Sequence, residues 1–350
     1  MLVLVAAACS LAWLEDSPLV PRDAGRGGGG GEPLFLVLLI GAFVAYLAGL
    51  WLLRGGTGAS LAVVLTLAVG VQVVPLAAPL LLSTDAWTYW EYGWIANEGH
   101  DPYTDPPEQF PTNPAFPYAG ADWRDTTSVY GPAFTLGSQP VAAAAGDSED
   151  AAAWLFKGLA AAAMVGATVL VSRRARAPVF ATAFLGWNPL LAVHLAGGGH
   201  NDAWLAIGVV AAVVLGMSGR RAAAGAVWAL AVLVKWVPAV FVLLVALAGR
   251  RGPRAGAVGG FVAAAALVAL IATLEFGLDW VTAFGPLAAN AGTETSYALP
   301  NRLEQAGVPD TAALVAALLV LAGGLAWLAL EAWRGRPRAI QRTDRRATPI

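Results

Sequence analysis

The chain has 350 residues, of which 58% are apolar and 13% are charged, and its mean hydropathy is +0.64. A soluble domain cannot keep so much apolar surface in water, so the composition excludes an ordinary globular enzyme and indicates a membrane protein. The single cysteine, Cys9, excludes an intramolecular disulfide, and no Walker motif indicates a nucleotide-binding fold. The formal net charge of −2 favours no particular partner, and we do not expect nucleic acid to be one.

The first predicted element is a short helix over residues 1–14, which lacks the basic residues of a cleavable signal peptide. A flexible linker with glycines at positions 27–31 follows, so we assign residues 1–33 to a short helix and a linker. Spanning a bilayer takes about 20 apolar residues, and several uncharged runs reach or approach that length. The clearest cover 34–53, 61–82, 151–171, 255–274 and 311–333. They predict an all-α, polytopic transmembrane domain over residues 34–333, followed by a basic cytoplasmic tail over 334–350.

The distribution of Lys and Arg predicts the side that each loop faces, because short loops rich in these residues stay in the cytoplasm. If Arg54 is cytoplasmic, one topology places 15 of the 21 basic residues on that side. The others of this set are Arg173, Arg174, Arg176, Arg220, Arg221, Arg250, Arg251, Arg254 and six arginines of the tail. The topology splits residues 222–248 into two short helices that meet at Lys235-Trp236-Val237-Pro238, where the proline removes a helical hydrogen bond. It places residues 83–129, 197–202 and 276–310 on the extracytoplasmic side.

Residues 83–94 combine Asp85 with five aromatic residues directly after an apolar run. Aromatic rings favour the headgroup region of a bilayer, so they indicate an interfacial helix, with direct stacking on a sugar as the alternative. Asp85 has two open interpretations, as the cap of this helix and as a proton acceptor. We expect partial desolvation to raise the pKa of Asp85 and so make it a better base.

Further motifs follow in chain order and share a pattern with one enzyme family. They are Gly99-His100-Asp101-Pro102-Tyr103, Tyr130-Gly131-Pro132, Asn188-Pro189 followed by His200-Asn201-Asp202, and Lys235 with Pro238. Together with Asp85 after an early span, this order resembles the polyprenyl-phosphate-mannose-dependent mannosyltransferases of bacterial envelopes, which belong to the GT-C class. The resemblance covers about residues 78–242.

The resemblance implies a GT-C-like fold in the cell membrane and an inverting transfer of a sugar, which is mannose in this family, from a polyprenyl phosphate to an envelope glycan or glycolipid. The active site is then extracytoplasmic. Asp85 is the expected general base, since a phosphate leaving group needs no general acid. The candidates for binding the donor phosphate are Lys235, Arg302 and Arg124. The candidates for binding substrate are His200, Asn201, Asp202, Tyr89, Tyr103 and Tyr130.

Several candidates also have purely structural interpretations. Lys235 is then a lysine that extends to reach water, and Arg302 is an ordinary solvated loop residue. Asp202 alone is explained as the cap of a helix that begins near Ala203. Capping does not explain His200 and the three glycines before it, which let the backbone approach another surface. His200 binds acceptor hydroxyls or orients Asp85.

Two other classes of function compete with a glycosyltransferase. A lipid or solute transporter or flippase also has broken helices around a polar cavity, but no internal repeat relates the two halves of this chain. A non-catalytic subunit of an envelope-synthesis complex is the third class. We expect no cofactor. Asp147 and Glu149 are more simply explained as an acidic turn that joins two helices than as a divalent-metal site, and we predict no obligatory metal.

Overall fold

The structure is a computed structural model that describes residues 1–21, 31–55, 58–248, 255–291 and 298–334. Every regular element in these ranges is helical and none is a β-strand, which confirms the predicted all-α fold. The helices are α1 (Leu2–Ser10), α2 (Glu32–Arg54), α3 (Leu61–Val73), α4 (Asp85–Asn97), α5 (Pro132–Ala145), α6 (Glu149–Arg174), α7 (Pro178–Gly186), α8 (Asp202–Met217), α9 (Arg221–Val234), α10 (Pro238–Ala248), α11 (Ala255–Phe276), α12 (Phe284–Ala291), α13 (Leu299–Gln305) and α14 (Asp310–Arg334).

Within the described ranges, four helices are long and apolar enough to cross a membrane, namely α2, α6, α11 and α14. They coincide with four of the five predicted runs. The helix in the run over 61–82 is shorter than predicted, because α3 ends at Val73 and is followed only by a 3₁₀ turn, Val74–Ala77. Pro75 accounts for this ending, since proline disfavours helical backbone in the residue before it and has no N–H to donate.

The chain divides into two compact units. The first comprises Met1–Trp236 and Gly256–Pro286, and the second comprises Val237–Ala255 and the chain from Leu287 onward. In the second unit, α10 and α13 both pack against α14. Apart from Arg302, the candidate site residues all belong to the first unit. The predicted domain boundaries stay predictions.

Helix α4 forms the centre of the first unit and packs against α5 and α6. Its rings are almost completely buried, with exposed fractions of 4% for Trp87, 1% for Tyr89, 0% for Trp90 and 2% for Tyr92. The predicted interfacial position of these rings is therefore wrong: they pack inside the protein. The physical reason is that the segment over 98–131 folds over α4. The Tyr92 hydroxyl of α4 donates to the carbonyl oxygen of Thr126 in this segment at 2.7 Å.

The predicted break after residue 234 is confirmed, since α9 ends at Val234 and α10 begins at Pro238. The N-terminus of α5 meets the end of α9, where the amide of Gly131 donates to the carbonyl oxygen of Val234 at 3.2 Å. Only glycine fits there, because a Cβ atom on residue 131 would lie 2.0 Å from the carbonyl oxygen of Leu233. This contact fixes the backbone that carries Lys235.

Some predictions fall on residues outside the described ranges. They concern most of the glycine-rich linker at 22–30, the cluster of Arg250, Arg251 and Arg254, and the basic tail from residue 335. The first predicted helix is confirmed, since α1 and a 3₁₀ turn, Leu11–Trp13, cover most of residues 1–14.

Candidate active site

The candidate site lies where the ends of four helices of the first unit meet. Asp85 is the first residue of α4, and Asp202 is the first residue of α8. Tyr130 immediately precedes Gly131, the N-cap residue of α5, and Lys235 follows the last residue of α9. The structure therefore brings together residues that are up to 150 positions apart in the sequence.

The Asp85 carboxylate accepts three side-chain hydrogen bonds. Ser83 Oγ donates to Oδ1 at 2.9 Å, and Tyr89 Oη donates to Oδ2 at 3.1 Å. His200 Nδ1 lies 3.0 Å from the same Oδ2, which makes Nδ1 the hydrogen-bearing nitrogen, because a carboxylate can only accept. None of these contacts caps α4, and its N-cap residue, Thr84, makes no side-chain capping bond either. Asp85 thus serves another purpose than capping.

These donors determine the pKa of Asp85. Burial raises the pKa of this carboxyl, but the hydrogen bond and charge of His200, with the hydrogen bonds from Ser83 and Tyr89, hold it below its ordinary value. The expectation of a raised pKa is wrong, because it considered desolvation without these donors. Burial also raises the pKa of Tyr89 well above its usual range, with Tyr130 and Asp85 adding to the effect, so its hydroxyl stays protonated and donates.

His200 reaches Asp85 because the preceding glycines allow close packing. A Cβ atom on Gly198 would lie 2.7 Å from Cδ2 and 2.8 Å from Nε2 of His200. Gly199 has a φ of +67°, which favours glycine, and its backbone passes against Ala86 of α4. The hypothesis that these glycines permit close approach to another surface is consistent with these contacts. Orientation of Asp85 is the role of His200 that its contacts support.

Asp202 and Lys235 form an ion pair at the same end of the helices. Lys235 Nζ lies 3.0 Å from Oδ1 and 2.8 Å from Oδ2 of Asp202, and the two side chains are 33% and 42% exposed, respectively. No side-chain capping bond forms at the N-terminus of α8, so the carboxylate of Asp202 acts as the partner of Lys235. Lys235 therefore does not simply extend toward solvent.

The three candidate tyrosines are buried and differ in what they contact. Tyr89 packs edge-on against Tyr130, with ring centroids 5.2 Å apart, and also against Phe134 at 4.8 Å. The hydroxyl of Tyr103 lies 3.2 Å from the carbonyl oxygen of Tyr130 and 2.8 Å from Thr135 Oγ1. Tyr103 thus holds the start of α5 in place. Direct binding of substrate by these rings stays a prediction.

The remaining candidates lie in different surroundings. Arg124 stands over the Phe116 ring at 4.6 Å and donates from Nη2 to the Phe116 carbonyl oxygen at 3.4 Å. Arg302 belongs to α13 in the second unit and donates from Nη1 to Gln305 at 2.8 Å. Asn201 is 1% exposed, and neither polar atom of its side-chain amide has a hydrogen-bond partner among the described residues. The roles of these three residues in binding stay predictions.

The acidic turn around residue 148 belongs to the start of α6, where Ser148 Oγ accepts from the Ala151 amide at 3.2 Å. This contact agrees with the interpretation of Asp147 and Glu149 as an acidic turn that joins two helices. Across the ranges described, no group of three or more His, Cys, Asp or Glu residues is arranged to hold a metal ion. Independence from metal stays a prediction.

Two contributors to the site carry no role in the sequence-based prediction. Ser83 donates to Asp85 from two residues before it, a spacing at which serine often bonds to a neighbouring group and so gives a usable signal. The ring of His194 packs against the ring of His200, with centroids 4.1 Å apart and planes tilted by 34°. A lone histidine in an apolar segment carries no signal of such a partner.

Comparisons with known proteins agree with this arrangement of residues. Residues 1–251 match the family model described as "Alpha-(1->6)-mannopyranosyltransferase, N-terminal domain". The chain is 33% identical over 232 residues to Alpha-(1->6)-mannopyranosyltransferase A of Mycobacterium tuberculosis, covering 59% of this chain and 44% of that protein. It is 30% identical over 176 residues to the protein of the same name from Corynebacterium glutamicum, covering 48% and 35%, respectively.

The chain spans less than half the length of these curated relatives, and no solved structure matches it. The family model nevertheless covers well over half of the chain and includes Asp85, Asp202 and Lys235. The predicted resemblance to a mannosyltransferase family is thereby confirmed. The chain belongs to the alpha-(1->6)-mannopyranosyltransferase family.

Proposed function

We propose that this chain forms the catalytic part of an inverting mannosyltransferase, which moves mannose from a polyprenyl-phosphate donor to a glycan or glycolipid. One observation carries the proposal: Asp85, whose side chain is 29% exposed, is bonded to His200, two residues before the Asp202 that pairs with Lys235. The reaction needs an anionic base and a cation for a phosphate, and this site offers both.

Asp85 is suited to take the proton of the acceptor hydroxyl. Its Oδ2 accepts two hydrogen bonds and its Oδ1 accepts one, so Oδ1 keeps a lone pair for the incoming proton. The acceptor oxygen attacks the anomeric carbon on the face opposite the phosphate, and the new C–O bond forms as the bond to the phosphate oxygen breaks. The phosphate leaves with the electron pair, and the hydroxyl proton passes to Asp85.

Lys235 is suited to stabilise the leaving phosphate. An ammonium group has three N–H donors, and two of them point to Asp202. The third stays available for a phosphate oxygen, and Asp202 keeps the long lysine side chain in one position meanwhile. A charge-assisted hydrogen bond of this kind is stronger than a neutral one, so Lys235 favours the state in which the phosphate carries its full negative charge.

The direction of the helices supports an extracytoplasmic site. Helices α8 and α9 pack against each other and have the candidate site at one end, and the short loop that joins them at the other end leads through Arg220 to Arg221, the first residue of α9. Helix α8 runs for 16 residues from Asp202 toward Arg220, a length of about 24 Å at 1.5 Å per residue. Helix α6 likewise ends at Arg173 and Arg174. Because arginine-rich short loops stay in the cytoplasm, the opposite helix ends face outward.

The same geometry supports a lipid-linked donor. Nucleotide sugars are made in the cytoplasm, but only three residues connect α6 to α7 and three connect α8 to α9 on the arginine side. Such short loops cannot build a nucleotide pocket. A donor that reaches the outward helix ends has crossed the membrane on a lipid.

The test is a transfer assay with the purified chain in vesicles. Radiolabelled mannose is offered in parallel on a polyprenyl phosphate and on a nucleotide, and we expect transfer from the lipid only. Asp85→Asn should lower turnover by about 100- to 10,000-fold, the usual cost of losing a general base. The matched control is Asp122→Asn, which neutralises an exposed aspartate in the loop. Transfer from the nucleotide alone, or full turnover in Asp85→Asn, would overturn the proposal.

The orientation has its own test by cysteine labelling. In a Cys9→Ser background, single cysteines replace the exposed residues Glu98 and Arg220. We expect Glu98→Cys to react with a membrane-impermeant maleimide added outside intact cells. Arg220→Cys should react only after permeabilisation. The reverse pattern is incompatible with an extracytoplasmic site.

A further inference from the structure

His194 is an exposed histidine in a segment that is otherwise buried. The other residues from Ala192 to His200 are all buried, although they include three glycines and a second histidine. Neither ring nitrogen of His194 has a hydrogen-bond partner among the residues that the structure describes. The imidazole therefore keeps both nitrogens available for a molecule that approaches from outside the protein.

An irregular helical turn carries His194. Leu191–Ala196 form a π-helical turn, and the His200 amide likewise donates to the carbonyl oxygen of Leu195, five residues earlier, at 3.1 Å. The segment begins at the Asn188-Pro189 motif, where Asn188 Oδ1 accepts from the amide of Leu190 at 3.0 Å. Such turns are rare and are frequent at functional sites, because the extra residue changes the direction of the side chains. The Asn188-Pro189 motif thus starts the turn that presents His194.

His194 lies beside the charged groups of the candidate active site. Its ring centroid is 4.1 Å from that of His200, whose Nδ1 lies 3.0 Å from Asp85 Oδ2. The charges of Asp85, Asp202 and Lys235 all act on the His194 ring. These three side chains are 29%, 42% and 33% exposed, respectively. His194 therefore stands at the same partly exposed surface as the groups proposed to bind the substrates.

The geometry of an inverting transfer indicates which part of the substrate meets His194. The acceptor oxygen and the phosphate lie on opposite faces of the anomeric carbon, so the sugar lies between the base and the cation that binds the phosphate. A side chain that is affected by both Asp85 and Lys235 is beside that sugar. A neutral imidazole has one N–H donor and one acceptor nitrogen, and a sugar hydroxyl also donates and accepts. The two groups are therefore complementary.

We propose that His194 binds a hydroxyl of the sugar that is transferred and so contributes to the choice of sugar. The inference rests on the proposed function, which places the acceptor hydroxyl at Asp85 and the phosphate at Lys235. A donor that lacks the hydroxyl leaves the imidazole without its partner, so it binds less well than the complete donor. Asp85 remains the base, and His194 forms no bond to the reacting atoms.

The test compares His194→Phe with wild type on lipid donors that each lack a different hydroxyl of mannose. Phenylalanine keeps a ring against His200 but has no nitrogen to bond with. We expect His194→Phe to lower kcat/KM for the complete donor roughly 3- to 10-fold, the usual effect of losing one hydrogen bond. For one donor of the series, the two proteins should have equal kcat/KM, because the bond is already absent. An equal loss on every donor, or no loss on the complete donor, would overturn the proposal.

Two further variants separate a contact with the sugar from an effect through His200. His194→Gln keeps a donor and an acceptor and should recover part of the loss on the complete donor. Leu190→Phe introduces the same ring at a position of the same segment that is 50% exposed, and it should keep wild-type kinetics. An effect through His200 would also move the acidic limb of the pH profile of kcat/KM. A moved limb in His194→Phe would assign His194 to the support of His200 and refute the sugar contact.

The failure of this inference is distinguishable from failure of the proposed function. If the wild-type chain uses no lipid donor, the proposed function is wrong and the inference falls with it. If the chain uses the complete lipid donor but His194→Phe loses the same factor on every donor, the function stands and only the sugar contact is wrong. Thermal unfolding identifies a loss that comes from misfolding. Should His194→Phe be the less stable protein, His194→Ala, which adds no bulk, is compared on the same donors.

Discussion

The buried carboxyl of Glu91 should make the stability of the protein depend on pH. Its side chain lies in α4, is 0% exposed, and neither carboxylate oxygen has a hydrogen-bond partner in the described part of the chain. Burial raises the pKa of Glu91 to about 8 from an ordinary value of 4.5, although the charge of Arg124 opposes the shift. The carboxyl is therefore mostly neutral at pH 7 in the folded protein and ionised in the unfolded protein.

The sign of the pH dependence follows from this difference. Between pH 4.5 and 8 the folded state binds a proton at Glu91 that the unfolded state has lost, so stability falls as the pH rises through this window. Each pKa unit corresponds to about 1.4 kcal/mol, so the full loss over this window is on the order of 5 kcal/mol. Glu91→Gln has no proton to lose, and we expect it to match wild type near pH 4.5 and to be the more stable protein at pH 8.5.

The assay is thermal unfolding in detergent, followed by tryptophan fluorescence from pH 4.5 to 8.5. The matched control is Glu98→Gln, which changes an exposed glutamate just beyond the end of the same helix and should keep the wild-type profile. Glu91→Gln should flatten the profile above pH 5. Parallel profiles for wild type and Glu91→Gln would refute the reasoning, because they require a Glu91 carboxyl with an unshifted pKa.

Three further predictions concern the candidate site. In His200→Gln, Asp85 loses a hydrogen bond and a charge that lower the pKa of Asp85, so the acidic limb of the pH profile of kcat/KM should move to higher pH. An unmoved limb would exclude His200 as the positioning partner of Asp85. Lys235→Met should weaken use of the lipid donor by about 1.5–3 kcal/mol, the range for a charge-assisted hydrogen bond, whereas Lys235→Arg should retain more activity. Equal kinetics for Lys235→Met and wild type would exclude Lys235 from phosphate binding. Gly198→Ala places a Cβ atom against the His200 ring and should lower turnover roughly 10- to 100-fold. The control is Gly259→Ala, whose Cβ atom meets no other group and should leave turnover unchanged. Full activity in Gly198→Ala would show that the position of the His200 ring is unimportant.

The sequence was most informative where local chemistry decides the outcome. Proline chemistry alone predicts the break before Pro238, and α9 and α10 end and begin accordingly. The same chemistry at Pro75 shortens α3, but hydropathy over residues 61–82 does not register it. Apolar runs report whether a segment avoids water and say little about where its helix ends.

Long-range contacts account for what the sequence could not provide. The pairing of Asp202 with Lys235 joins residues 33 positions apart, and the bond from His200 to Asp85 joins residues 115 apart. Desolvation of Asp85 was predictable from its position after an apolar run, but the direction of its pKa depends on donors that only the fold brings near. The burial of the α4 rings also depends on long-range contacts. An aromatic helix has the same composition whether it lies at a bilayer interface or beneath a covering loop, so composition cannot distinguish the two positions.

The two aspartates of the candidate site have different neighbours, and these neighbours suit them to different tasks. Asp85 is surrounded by donors that keep it anionic, yet Oδ1 has room for a proton, so it can act as a base. Asp202 instead compensates the charge of Lys235, so a phosphate that binds there must share that cation with a carboxylate. Sharing weakens the attraction for a phosphate on its own. Burial of the apolar part of a lipid-linked donor against membrane helices would supply the missing free energy, and the site would then select a lipid-linked phosphate over a free one.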